Sequence, residues 1–259
     1  MSNSRGRRTM ITLLVCAFLH VSAFAADAKE TIKNARSSYY SLKSQGLKTF
    51  QCEVTPDWRK FLENTDKKPL SATDPRLQKF GGLRFSVAID EQGQSTITPF
   101  MANGDAIDPS LSQLSDGLKQ MLSGFYQTWT ALVFANPFPE SDSGTTLKQE
   151  GDNFRLLSKD GDSDVEILLN KDYAIIEMRV SSTGSKIIML PKFERTAKGL
   201  LLTDIDSDIN DGQQKVLLGI TYQNVQGLNL PGHASFKVTL PDQVVMIEAT
   251  FSKYQITKQ

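Results

Sequence analysis

Through the second half of the chain, apolar and polar residues alternate with a period of two. Val165, Ile167 and Leu169 fall on one side of an extended segment, as do Ile176, Met178 and Val180. The same spacing recurs at 154–156, 186–190, 200–205, 216–222, 236–240 and 245–251. Such alternation predicts strands with one face buried and one in water. Between them stand Lys159-Asp160-Gly161, Asn170-Lys171-Asp172, Thr183-Gly184, Asp211-Gly212 and Pro241-Asp242, which are turn formers. Connections this short join neighbouring antiparallel strands. Leu230-Pro231-Gly232-His233 also reads as a turn leading into a strand.

The first half mixes periods. Residues 26–42 lack Gly and Pro and carry Ile32, Ala35, Tyr39 and Leu42 on one helical stripe, with Gly46 following as a stop. Lys48 to Thr55 alternates as a strand, with Phe50, Cys52 and Val54 on one face. Asp57 is placed to cap a short helix over 58–62, and 66–82 reads as a loop holding another. Leu83, Phe85, Val87 and Ile89 form a strand, and Ser95 to Phe100 returns beside it after Gln92-Gly93. Residues 110–134 differ from everything around them. Leu111, Leu114, Leu118, Met121, Leu122, Phe125, Trp129, Leu132 and Val133 recur at steps of three and four, which predicts a long amphipathic helix, with Ser110 as its cap and Asn136-Pro137 as its end.

Together these elements predict an α+β fold, with a broad, curved antiparallel sheet holding the 110–134 helix in its concavity. The stripe on that helix leaves two packings open. In one it is pressed against the sheet in a filled core. In the other the packing is incomplete and an apolar pocket remains.

The amino terminus changes where such a fold would work. Arg5, Arg7 and Arg8 precede an apolar run from Met10 to Val21, and Ala23-Phe24-Ala25 ends it. This is the layout of a secretory signal cleaved after Ala25. The run is about 12 residues, against roughly 20 needed to span a bilayer. Val15 before Cys16 does not suit a lipidation signal. The chain is therefore expected in the periplasm or secreted, as one domain over 26–259 after removal of 1–25. Of 29 basic residues three leave with the signal and no acids do, so 26 bases face 29 acids. Nothing in that balance suggests nucleic acid.

Candidate chemistry is sparse. Cys52 is the one cysteine after residue 25, so no internal disulfide forms, and its place between Phe50 and Val54 reads as a small buried hydrophobe. His233 is the one remaining histidine, too few for a histidine metal site, and no G-x-S-x-G elbow offers it a nucleophile. The acidic turns at 160–164 and 204–211 alternate oxygen ligands, but the calcium-loop template fails, since Asp211 and Leu217 stand where Gly and Glu belong. No Asp or Glu has a spacing that marks it for paired-carboxylate hydrolysis. Trp58 and Trp129 could stack on a sugar, although Trp129 lies on the apolar stripe. No catalytic residue, metal ligand or cofactor is expected, and no enzymatic activity.

One stretch resembles a known family. Tyr222, Val225, Gly227, Leu230 and Pro231 form a Y-x-x-V-x-G-x-x-L-P run, preceded by Pro191-Lys192-Phe193 and Gly199-Leu200-Leu201. With the order of elements over 27–256, this is similar to the LolA/LolB-like lipoprotein carriers. The resemblance implies an unclosed β-barrel with helices as a lid over a cavity for acyl chains, and it implies the soluble branch of the family. The function then expected is that of a monomeric carrier whose partner is a lipid or an acylated protein, with transient contact to membrane or envelope proteins. Leu118, Met121, Leu122, Phe125 and Trp129 on the helix, with Phe50, Phe85 and Val87 on the sheet, are the expected ligand-binding residues. The competing expectation is an envelope or surface protein with a filled core that works through protein contacts.

Overall fold

In a computed structural model, residues 29–138 and 144–259 are described. Residues 1–25, where an export signal is expected, lie outside them. The chain forms helix α1 over 29–38. Strand β1 (Leu47–Pro56), helices α2 (Trp58–Asp66) and α3 (Pro75–Phe80), the hairpin β2 (Leu83–Ile89) and β3 (Ser95–Met101), and helix α4 (Ser112–Trp129) follow. The rest is a meander: β4 (Thr146–Glu150), β5 (Asn153–Asp160), β6 (Ser163–Leu169), β7 (Ile175–Ser182), β8 (Ser185–Thr196), β9 (Gly199–Ile209), β10 (Gln214–Val225), β11 (Leu228–Thr239) and β12 (Val244–Lys258).

All twelve strands belong to one antiparallel sheet in the order β3-β2-β1-β12-β11-β10-β9-β8-β7-β6-β5-β4. The last strand closes on the first, so β1 pairs with β12, while β3 and β4 remain as edges of an unclosed barrel. This is the expected curved α+β sheet. The strands from β8 onward run longer than alternation alone indicated.

Three local expectations are corrected. Leu230-Pro231-Gly232-His233 lies inside β11, not in a turn. Pro231 stands opposite Tyr222 at a register shift, where the ladder makes no demand on the missing N–H. The turn comes earlier, at Gln226 and Gly227, both with positive φ (51° and 83°). The 204–211 acids are mostly strand residues. Asp204, Asp206 and Asp208 belong to β9, Asp208 accepts from the Gly212 N–H (2.6 Å), and Asp211 pairs with Lys186 (2.7 Å). Ser110 does not cap α4. The Asp108 carboxylate caps the preceding turn, accepting from the Ser110 N–H (2.8 Å) and hydroxyl (2.7 Å), and these bonds with Lys79 hold its pKa down to about 2. β4 was not anticipated at all, since Thr-Leu-Lys-Gln-Glu is an exposed edge with one apolar residue.

Helix α1 ends sooner than residue 42 because the chain must turn onto the sheet. Tyr40 N–H donates to the Leu200 carbonyl (3.0 Å), and Tyr39 Oη accepts from the Ile175 N–H (2.6 Å). Gly199 permits this approach. A Cβ there would lie 2.7 Å from the Tyr39 carbonyl carbon, and its φ of 116° excludes other residues in any case. Ile32, Ala35, Tyr39 and Leu42 are all buried, as the stripe required. Among the described residues, no helix is long and apolar enough to cross a membrane.

Candidate functional site

Helix α4 presents two different surfaces. One side carries Leu118, Leu122, Phe125, Tyr126 and Trp129, all buried. Phe125 packs edge-on to Phe236 of β11 and close to Phe251 of β12, with both ring centroids at 5.7 Å. Trp129 meets Phe50 of β1 edge-on at 5.9 Å, and its indole N–H donates to Tyr222 Oη (3.3 Å). Cys52 Sγ lies 3.4 Å from Tyr126 Oη, and burial pushes its thiol up to about 11. It is a buried group in the core, as its neighbours suggested. Over β1, β2 and the rim of β12 the interior is therefore filled.

On its other flank α4 stands away from the sheet. Between that flank and the inner faces of β8 to β12 lies a cleft of about 740 Å³. Its floor is built by β-strand alternation: Met189, Val216, Val238 and Val245 all point into it. These four sit on one cross-strand row that runs from Leu147 on β4 to Val245 on β12, with Ser207 as its one polar member. Strands lie about 4.8 Å apart, so the five-strand floor is about 19 Å wide. None of the 23 lining residues is charged. A smaller hollow of about 310 Å³ on the outer face is the reverse, with Lys192, Asp204, Asp206 and Glu248 around it.

The eight expected ligand-binding residues divide between these regions. Leu118, Met121 and Phe125 line the cleft. Leu122, Trp129, Phe50, Phe85 and Val87 are in the filled core beside it, each at most 1% exposed. The cleft takes only one edge of the amphipathic stripe, Leu114, Leu118, Met121 and Phe125, while Leu122, Trp129, Leu132 and Val133 pack into the filled core. The missing lining comes from the inner face of β8 to β12 and from the neighbouring helix flank. That flank reads Gln113, Gly117, Gln120, Gly124 and Gln127, at steps of four and three. A stripe of glycine and glutamine beside the apolar one was the available signal.

Neither Trp58 nor His233 lines the cleft. Trp58 is buried, with its indole N–H on the Leu83 carbonyl (3.0 Å). His233 lies 3.3 Å from Glu248 on β12. Among the described residues, no group of three or more His, Cys, Asp or Glu side chains is placed to hold a metal ion. Comparison of the chain with protein-family models, curated proteins and solved structures finds no match.

Proposed function

We propose that this is an exported binding protein that holds the acyl part of a lipid, or of a lipid-modified protein, in the cleft between α4 and β8 to β12. The observation that carries the reading is the cleft itself: about 740 Å³, floored by branched and sulfur-containing apolar side chains and free of charge. A pocket of this size and lining suits an elongated apolar ligand. Each methylene removed from water contributes about 0.8 kcal/mol, so a long chain binds without specific polar contacts. The resemblance to the LolA/LolB-like carriers and the secretory layout of residues 1–25 support the same reading. They add a periplasmic or secreted site of action, a monomeric carrier and no catalytic step. Contact with a membrane or envelope protein would be the moment of loading.

Met121 is the residue on which to test it. Phe125 is less suitable, because a charge there would break the aromatic core against Phe236 and Phe251. Met121 is only partly buried and faces the cleft. Met121→Glu should leave the circular dichroism and melting of the protein nearly unchanged and weaken uptake of a fluorescent monoacylglycerol by about tenfold or more, the cost of placing a carboxylate against the chain. Full uptake by a folded Met121→Glu protein would remove the cleft as the binding site.

A further inference from the structure

We infer that the cleft selects acyl lipids with an uncharged head group, such as glycerol esters or amides, over fatty acids and anionic lipids; this rests on the acyl-binding reading above. The chain has charged residues at 22% of its positions, yet none among the 23 that line the cleft. The 310 Å³ hollow on the outer face shows that this sheet readily surrounds a depression with lysines and acids. An anion drawn into the cleft would find no lysine or arginine in the lining, and an unpaired carboxylate or phosphate loses hydration that nothing returns.

What the mouth offers instead is the seam on α4. Gln113, Gln120 and Gln127 are exposed, seven residues apart, on one line of the helix. A rise of 1.5 Å per residue separates successive amides by about 10 Å. A glutamine amide both donates and accepts, so it matches an ester carbonyl, a hydroxyl or an amide and has no preference for a charge. Gly117 and Gly124 alternate with them, and a Cβ on either would meet nothing within 4 Å. The fold around them therefore does not require glycine. Each is unfavourable by about 1 kcal/mol in a helix interior. Their effect is to leave bare helix backbone and open space between the amides, where a compact neutral head group fits.

The test is a competition on the purified, delipidated protein. A bound fluorescent monoacylglycerol is displaced by palmitoylglycerol, palmitamide or palmitate, which share one chain. At alkaline pH palmitoylglycerol and palmitamide should compete equally, with palmitate needing a concentration about tenfold higher. The gap should close as pH drops through the titration of palmitate. Gln120→Lys, an exposed change, should abolish the gap at alkaline pH by supplying the missing cation. Palmitate competing as well as its ester on the wild-type protein would overturn the head-group inference and leave the acyl cleft standing. A protein that binds none of these ligands, the fluorescent one included, would overturn both.

Discussion

Glu53 is a charged residue facing away from the core of β1, yet it is almost buried, at 8% exposure. Its carboxylate receives Lys253 Nζ at 2.8 Å and the Arg84 guanidinium. Burial pushes its pKa up, but the hydrogen bonds from Lys253 and Arg84 outweigh burial and hold it below the usual carboxylate range. Because the folded state favours the ionised form, the contribution is complete above the ordinary carboxylate pKa and is lost as pH falls through the folded one. Glu53→Gln should therefore cost about 2 kcal/mol at neutral pH, since it leaves Arg84 half-buried without its partner, and much less in acid. Urea unfolding of both proteins across that range checks it. An equal loss at every pH would mean that Glu53 acts through packing rather than charge. In the sequence, Glu53 is one polar position in an alternating strand. Its partners come from β2 and from β12, where Lys253 adjoins Ser252, the residue paired with Glu53, so the triad could not be read from local pattern.

Helix α4 is the element on which the functional reading turns. Its existence was legible, because nine apolar residues at three- and four-residue steps admit no other period, but the expected span over 110–134 is α-helical only from Ser112 to Trp129, with a 3-10 turn before it and a π-helical turn, Thr130–Phe134, after it. Which of its surfaces matters was not legible. Strong apolar residues such as Leu122 and Trp129 direct the helix onto β1 and β12, and the cleft is what remains beside the weaker flank. If Gly117 and Gly124 serve the ligand and not the helix, replacing both with alanine should raise the melting temperature by about 5 °C and lower monoacylglycerol affinity several-fold. Stability and binding would then move in opposite directions. A double variant less stable than wild type would show that the glycines are needed for packing after all. The missed β4 and the misplaced turn at Pro231 have a common cause. Both are places where sheet membership is decided by a neighbouring strand, by β5 for an exposed polar edge and by β10 across a register shift.

At the scale of the whole molecule, the sheet is one meander that returns to its start, and α1 is clamped across it by Tyr39 and Tyr40. That arrangement closes the β1 side with aromatic residues and leaves the β8 to β12 side open. Alternation in the sequence was sufficient to anticipate the curved sheet and its enclosed helix, since most strands declare their inner face, although β4 carries one apolar residue and in β7 Ile175 is buried where Ile176, on the alternating set, is exposed. It could not say how far the helix fills the concavity, because that depends on the width of twelve paired strands against one helix. The cleft is the consequence, and the proposed function requires that an acyl chain occupy it. Native mass spectrometry of the purified protein, with lipid analysis of an organic extract of the same sample, tests this most directly. The expected result is a stoichiometric acyl lipid with an uncharged head group, absent from Met121→Glu prepared in parallel. Protein that is free of lipid and takes up no monoacylglycerol when offered it would contradict it.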